Sequence, residues 1–555
     1  MRRASRGTVR AELVDTNDFR LSRAGSISEE YPLDTESRTT IPKTERQFAL
    51  ILVAAFLVVT LPVMLHHEMW RDEIQAWLLA RDAASLGDLF HYFHFEGHPS
   101  LWYLLLRPIA RAVRDPRWIK PIALLFSCCT VYLFARFAPF PRLIRVLFAF
   151  GYFVVYGWTI VARSYGVGLT LAILLCVLLA RPRPRYRMAA VAMALLANTS
   201  VYGSMLVVAC GIALVAAALF GPAGTARRER MRRVALPVLV GAAAVILAAV
   251  QVWPAPDNSF AGPGLGGAHR IEQFSWVERP LIAIAPIWRG YVPIPRMEET
   301  SDIWWANFLV DRSHKGALLA GILSIVGVVL LAMLMRRSAF ALSLHLSATA
   351  ILVLFSIFVY GGSLYHHGYF FLAVIMALWF AAAEAAEMPT GRQTVAKSAA
   401  VRWIDGRAQL AIITLLGLQV IGGGFRVVAD YVMPFSEGEA AADYIRSHGL
   451  DRLPLLASPG FNATTISGYL DRPIFALDRN VLMTFAPLNI PAAIIGDGQV
   501  LSRIDACCAA RDSAMVLILN HSLEATSPSL AIRPLAAFDD ALVPERFYLY
   551  EVRPR

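Results

Sequence analysis

The sequence carries few charged residues for its length. Charged side chains make up 17% of its 555 residues, whereas soluble domains average about 25%. Hydrophobic residues make up 57%, and they come in long apolar blocks rather than in amphipathic stripes. Together these features exclude an ordinary soluble protein and predict a polytopic α-helical membrane protein.

Cysteine is also scarce, and its arrangement excludes two kinds of site. The six cysteines show no CxxC spacing: four lie in apolar runs, and Cys507 and Cys508 are adjacent. The pattern therefore predicts neither a disulfide framework nor a cysteine zinc site.

Positive charge is concentrated between the apolar blocks. The net charge of +11 comes largely from short arginine clusters, which we interpret as orientation signals rather than a nucleic-acid surface. The first 46 residues are polar and lack the apolar core and cleavage site of a signal peptide. They predict a disordered cytoplasmic tail, 1–46.

We predict about eleven transmembrane helices. They cover 48–65, 121–137, 143–161, 165–180, 188–201, 204–220, 234–252, 316–335, 339–360, 369–386 and 408–425.

The run 99–113 needs a separate decision, because it is short and contains Arg107, Pro108 and Arg111. If it crossed the membrane, most later arginine clusters would move to the outer side, against the positive-inside rule. We therefore predict an interfacial or re-entrant helix here. The charges from Arg107 to Lys120 would then lie on the outer side, and about two to four of them would have to snorkel or meet anionic headgroups.

This topology predicts three parts. They are the tail 1–46, a transmembrane catalytic domain 47–425 with outer loops 66–120 and 254–315, and an exported domain 426–555. In the last part an amphipathic helix at 436–448 is followed by short apolar strands. That alternation predicts a small α/β domain on the outer face.

An acidic pair, Asp72 and Glu73, follows the first span in the sequence Trp70-Arg71-Asp72-Glu73. Neighbouring residues on a helix point about 100° apart, so one acid can face a site while the other packs or caps. Two interpretations stay open: chemistry at the membrane surface, or stabilisation of a helix N-terminus.

Histidines and a glutamate follow shortly after, at His91, His94, Glu96 and His98. Such a cluster can bind a divalent metal, and it also suits an aromatic interfacial segment. Further along, Arg163 with Tyr165 stands at the outer end of a span, where an arginine can bind phosphate or snorkel.

The order of these motifs resembles the GT-C superfamily of membrane glycosyltransferases, particularly bacterial relatives of protein O-mannosyltransferases and aminoarabinose transferases. The matching features are an acidic pair after the first span, a His-Pro-Pro-Leu-like sequence, an outer turn with arginine, and a late outer turn. Here they read Asp72-Glu73, His98-Pro99-Ser100-Leu101, Arg163-Ser164-Tyr165 and Tyr365-His366-His367. The sequence departs from the pattern at Ser100 and in lacking the late arginine.

The resemblance implies transfer of a sugar from a polyprenyl-phosphate donor to an acceptor hydroxyl on the outer face, with inversion. It implies catalytic roles for Asp72, as the base, and Glu73. Arg163, Tyr165, His366 and His367 would bind the donor phosphate, and His98 and Glu96 would position substrate. No cofactor is firmly predicted, although a divalent metal remains a candidate.

The implied partners are the lipid-linked donor, membrane lipids and an acceptor that could be a glycan, a lipid or a protein. The implied location is a bacterial inner membrane, with a cytoplasmic N-terminus. Two other functions stay open: a transporter or flippase for a lipid-linked sugar, and a non-catalytic assembly protein. A transporter should show ionisable residues at mid-membrane and inverted halves.

Overall fold

The computed structural model of the protein describes residues 43–221, 226–256, 258, 272–387, 399–508 and 513–555. The predicted tail 1–46 therefore lies almost entirely outside the described residues. The described part consists of a helical membrane region followed by a domain built on a mixed sheet.

The helices of the membrane region come in chain order. Helices α1 to α5 are Lys43–His66, Arg71–Asp82, Leu86–Glu96, Leu101–Val113 and Ile119–Phe137. Helices α6 to α10 are Arg142–Ala149, Ser164–Leu179, Tyr186–Ala197, Val201–Phe220 and Arg227–Val252. Helices α11 to α16 are Arg279–Tyr291, Asp302–Trp305, His314–Met335, Ala339–Phe358, Leu364–Glu387 and Ala399–Val432.

Eight helices within the described residues are long and apolar enough to cross a membrane. They match eight of the eleven predicted spans. Two others, α7 and α8, are apolar but shorter. Over 143–161 one continuous helix does not form, because α6 ends at Ala149 and a π-helical turn follows at Phe153–Gly157. This turn packs tightly on α7: a Cβ at Gly166 would lie 2.5 Å from the carbonyl oxygen of Trp158.

Helix α4 confirms that the run 99–113 is helical, and its 13 residues are too few to span a bilayer. It packs against α2. Arg107 is buried and donates hydrogen bonds of 3.0 Å to the carbonyl oxygens of Ala80 and Ala83, at the C-terminal end of α2.

The other charges from 107 to 120 were expected to snorkel or meet headgroups, and the structure instead pairs most of them within the protein. Arg114 binds Asp471 through two 2.8 Å hydrogen bonds. Arg117 pairs with Glu439, and Lys120 donates to the carbonyl oxygen of His67 at 2.6 Å. Two of these partners belong to the C-terminal domain, so the 66–120 segment and that domain lie on the same side of the membrane helices.

The last membrane helix, α16, continues to Val432, so the predicted boundary at 425 and 426 falls inside it. The following domain confirms the predicted α/β class. Its helices α17 to α19 are Gly438–Ser447, Thr464–Leu470 and Asp497–Cys508. Its strands β1 to β6 are Leu455–Ser458, Ile474–Ala476, Val481–Met483, Met515–Leu519, Leu530–Phe538 and Phe547–Pro554.

The six strands form one sheet in the order β3-β2-β1-β4-β6-β5. Strand β1 is parallel to β2 and β4, and the outer pairs are antiparallel. The apolar run Met515–Leu519 is buried throughout, as expected for a central strand covered on both faces.

Two contacts show which helix ends lie together. The Lys120 contact joins the start of α5 to the end of α1. At the opposite end of α1, Glu45 accepts hydrogen bonds from Arg142, at the start of α6, and from Arg145. Alternation of the later helices then puts the arginine clusters 181–187, 227–233 and 336–337 on the Glu45 side, away from Asp72.

Candidate active site

The first turn of α2 carries the acidic pair, and two carboxylates hold its N-terminus. The Glu73 carboxylate accepts the backbone N–H of Trp70 at 3.3 Å, and Glu545 of the sheet domain accepts that of Arg71 at 2.8 Å. A helix N-terminus favours negative charge because its first N–H groups have no partner within the helix. Asp72 is therefore presented on a turn that is anchored from both sides.

Asp72 forms an ion pair with Arg163. Oδ2 of Asp72 lies 2.9 Å from Nη1 of Arg163, and the two side chains keep 23% and 13% of their exposure. Arg163 directly precedes α7, and its guanidinium lies over the rings of Tyr165 and Tyr365, 5.4 and 5.1 Å from their centroids. Burial lowers the pKa of Arg163, but the two tyrosines and Asp72 hold it well above its usual value. The site therefore keeps one permanent positive charge beside a carboxylate that solvent can reach.

The Glu73 side chain points away from the solvent-accessible side of Asp72. Its side chain is fully buried, and Oε1 accepts the backbone N–H of Ala162 at 2.7 Å while Oε2 lies 3.2 Å from Nε2 of His67. Because Ala162 directly precedes Arg163, Glu73 ties the turn that carries Arg163 to the helix that carries Asp72. The two predicted catalytic acids thus have different surroundings, and only Asp72 faces the site.

A chain of hydrogen bonds runs from His98 to His366 through Tyr165. Tyr165 Oη lies 3.2 Å from Nε2 of His98 and 2.8 Å from Nε2 of His366. The backbone N–H of Ser363 donates to Nδ1 of His366 at 2.9 Å, so the proton of His366 is on Nε2 and points to Tyr165.

The hydrogen bonds of His98, at the other end of this chain, fit the same donor order. Nδ1 of His98 lies 3.0 Å from the carbonyl oxygen of Glu96, so it carries the proton, and Nε2 accepts from Tyr165. Burial and the nearby Arg163 lower the pKa of His98 to about 4, which fits a neutral ring. Gly97, with φ of 67°, ends α3 and lets the chain turn towards this position.

His367, the neighbour of His366, faces elsewhere. Its Nε2 lies 3.0 Å from the carbonyl oxygen of Gly361, within the same turn. The structure therefore joins His366, and not His367, to Tyr165 and His98. Consecutive residues on a helix point in different directions, which is why the pair separates.

Glu96 lies near Asp72 and Arg163, whose charges both act on its carboxyl group. Its carboxylate accepts a 2.7 Å hydrogen bond from Gln75 and a longer one, 3.4 Å, from Tyr103. Burial, with a contribution from the Asp72 charge, raises the pKa of Glu96 to about 7. Gln75 also pairs with the backbone of Ala486 in the sheet domain, donating to its oxygen and accepting from its nitrogen, both at 2.9 Å.

The candidate metal ligands do not gather. His91 is exposed beside aromatic rings, and Nδ1 of His94 lies 2.7 Å from the carbonyl oxygen of Trp253. Glu96 and His98 make the contacts given above. Within the part of the chain that the structure describes, no group of three or more His, Cys, Asp or Glu side chains could hold a metal ion. The residues present therefore do not fit a divalent metal at this cluster.

Several residues of the site carried no recognisable signal in the sequence. Gln75 lies one helical turn after Arg71 on α2, a spacing that could have identified it as a neighbour. The residues contributed by the sheet domain had no such signal, because their contacts span 391 to 474 positions; they are Asn462, Ala486 and Glu545.

The fold and the site define a polytopic helical membrane protein that has a C-terminal sheet domain. An acid–guanidinium pair, Asp72 and Arg163, lies at the ends of its membrane helices that face this domain. The chain matches no known protein-family model and no curated protein sequence. Among solved structures it is similar to ArnT from Cupriavidus metallidurans in the apo state. The two share 15% sequence identity, with a TM-score of 0.46 over 91% of this chain and 98% of that one.

Proposed function

We propose that this protein is a membrane glycosyltransferase of the GT-C type. It moves a sugar from a polyprenyl-phosphate donor to an acceptor hydroxyl on the outer face of a bacterial inner membrane. The observation that carries the proposal is the Asp72–Arg163 pair, in which a solvent-accessible carboxylate lies 2.9 Å from a guanidinium. The motif order that resembles the GT-C superfamily supports the same reaction.

The chemistry needs one base and one cation. Asp72 takes the proton of the acceptor hydroxyl as its oxygen attacks the anomeric carbon. The bond from that carbon to the phosphate oxygen breaks, and its electron pair leaves with the lipid phosphate. Arg163 stabilises the charge that collects there. A phosphate leaving group needs no protonation, so a second catalytic carboxylate is not required, and direct displacement inverts the anomeric carbon.

The remaining predicted residues support this pair. Tyr165 lies against the face of Arg163, and its hydroxyl links His366 to His98. Glu96 lies close enough to Asp72 for that charge to raise its pKa. In the proposal Glu73 acts through its hydrogen bonds and not as a base, because its side chain is fully buried. His367 contributes less to the phosphate site than His366.

Sidedness rests on the arginine clusters. They lie at the helix ends opposite Asp72, and the positive-inside rule places such clusters in the cytoplasm. The N-terminus is then cytoplasmic, and Asp72, Arg163 and the sheet domain 433–555 face outward.

The transporter alternative draws on buried ionisable residues within the membrane helices. His345 is one, in α14, and its Nε2 lies 3.2 Å from the carbonyl oxygen of Val328. The last membrane helix contains two buried ionisable residues, Arg426 and Asp430. Both lie in the last two turns of α16, next to the outer segments, rather than at mid-membrane. They therefore favour an anchoring role over an ion path.

A reconstituted assay tests the proposal. With a polyprenyl-phosphate sugar and a mixture of candidate acceptors, Asp72→Asn should lower the transfer rate by about 10²- to 10⁴-fold, the range for loss of a general base. Donor binding should survive, because Arg163 remains. Asp443→Asn is the matched control, since Asp443 is exposed on the sheet domain and pairs only with Arg446. Wild-type transfer by Asp72→Asn would contradict the proposal.

A further inference from the structure

A buried histidine lies between two carboxylates directly below the candidate site. The side chains of His67, Glu73 and Asp430 are all fully buried. Nδ1 of His67 is 2.7 Å from Oδ2 of Asp430, and Nε2 is 3.2 Å from Oε2 of Glu73. Carboxylates only accept hydrogen bonds, so both ring nitrogens can be satisfied only when both carry protons.

The surroundings of His67 agree with a protonated ring. Burial lowers its pKa, but the charges of Asp430 and Glu73 raise the pKa to about 9. The other groups that face this cluster are Tyr156, which donates to Oδ2 of Asp430 at 2.8 Å, and Lys120, which donates to the His67 carbonyl oxygen at 2.6 Å. The ring of Phe435, 4.6 Å away, closes the remaining side.

This cluster joins the elements that carry the candidate catalytic pair. His67 follows α1, Glu73 belongs to α2, and Asp430 belongs to α16, the helix that leads into the sheet domain. Glu73 is the residue after Asp72, and its other oxygen holds the N–H of Ala162, the residue before Arg163. The orientation of the Glu73 carboxylate therefore sets the positions of both Asp72 and Arg163.

We infer that His67 and Asp430 are positioning residues that keep Asp72 and Arg163 within ion-pair distance, acting through Glu73. The inference rests on the proposed function. A neutral imidazole can donate to only one of the two carboxylates, and its lone pair then faces the other. Loss of the proton on Nε2 of His67 therefore breaks one of the three contacts that orient Glu73, the others being the N–H groups of Trp70 and Ala162, and loosens the catalytic pair.

The test compares pH profiles of transfer by the full-length protein in vesicles. We expect the wild-type kcat to fall as the pH rises through about 9. Asp430→Asn removes one of the two charges that favour the protonated ring, so this fall should move towards lower pH by about one unit or more. Glu73→Gln should move it in the same direction. A residue that acted only in folding would not shift the profile.

His67→Gln should lower kcat by about 10- to 100-fold, with a smaller change in the donor KM, because misplacement affects the reacting geometry more than donor binding. His91→Gln is the matched control, since His91 is exposed in the same outer segment. Thermal unfolding in detergent reports whether each variant is folded.

Each outcome decides between supporting and rejecting the inference. A folded Asp430→Asn with the wild-type profile and kcat would overturn it, as would a His67→Gln variant that behaves like His91→Gln. Failure of both Asp430→Asn and Glu73→Gln to fold would also count against it, because the residues would then serve stability alone. If Asp72→Asn keeps its activity, the proposed function itself fails. If only Asp72→Asn is inactive and the other variants match wild type, the positioning role alone fails.

Discussion

Glu545, near the end of the chain, accepts the backbone N–H of Arg71, the residue directly before Asp72, at 2.8 Å. Its second oxygen accepts the hydroxyls of Ser436, at 2.7 Å, and Thr465, at 3.3 Å, so the carboxylate is held by both the sheet domain and α2. The Arg71 guanidinium adds a 3.1 Å hydrogen bond to Asn462. The sheet domain is therefore part of the framework that fixes the proposed base.

Replacing Arg163 by a neutral residue should lower transfer more than replacing it by another cation. Arg163→Gln removes the cation that is proposed to stabilise the leaving phosphate, and we expect kcat/KM for transfer to fall by about 10²- to 10³-fold. Arg163→Lys keeps a point charge without the planar fork, so its loss should be intermediate. Arg142→Gln, which affects an exposed pair with Glu45 at the far helix ends, serves as the control. Equal activity of Arg163→Gln and Arg142→Gln would contradict the assigned role.

Tyr165→Phe tests the hydrogen-bond chain. The substitution keeps the ring beside Arg163 but leaves Nε2 of His98 and of His366 without their shared partner. Unsatisfied buried polar groups cost about 1–3 kcal/mol, so thermal stability and transfer should both decrease. The control is Tyr444→Phe, which removes one hydroxyl contact, to Leu535, within the sheet domain. The prediction fails if the two variants lose transfer to the same extent.

The half-buried Glu68 should make stability depend on pH. Burial and the charges of Glu439 and Glu437 raise its pKa to about 8, above the ordinary value of 4.5. The folded protein thus holds this proton more tightly than the unfolded chain does. The corresponding stability is complete below about pH 4.5 and is lost as the pH rises through about 8.

The Glu68→Gln variant should not lose stability in this way as the pH rises. We expect the variant to be more stable than wild type at pH 8.5 by about 1 kcal/mol or more, and similar to it at pH 5. Unfolding midpoints in detergent at the two pH values measure the difference. An equal gain at both pH values would show that packing, rather than ionisation, is responsible.

Labelling from one side of the membrane tests the proposed orientation. In a background without native cysteines, Asp443→Cys should react with an impermeant reagent from outside, because Asp443 is exposed on the sheet domain. Arg183→Cys, exposed at the opposite helix ends, should react only after the membrane is opened. Reaction of position 183 from outside would reverse the topology.

Much of the membrane region could be predicted from the sequence, because an apolar run of sufficient length has few alternatives to a spanning helix. The short helices and the break within 143–161 could not, since they depend on packing such as the approach of Gly166 to Trp158. Loop charge correctly separated 99–113 from the spans. It could not show that Arg114 and Arg117 find carboxylate partners more than 300 residues away.

The candidate site, too, could be predicted only in part from the sequence. The sequence named Asp72, Arg163, His98 and His366 as candidates, because their types and order resemble a known pattern, and the structure places them close together. The resemblance favoured Asp72 over Glu73 as the base, but it did not separate His366 from His367. Glu73 differs from Asp72, and His367 from His366, only in direction, and direction depends on the exact helix start and on partners such as Ala162 and Gly361.

Gln75 binds the sheet domain through the backbone nitrogen and oxygen of Ala486, and not through any side chain there. Every residue type except proline offers the same two groups at that position. The side chain at position 486 can therefore change without releasing the hold of this segment on α2. The union between the helix that carries Asp72 and the sheet domain thus tolerates sequence variation at that point.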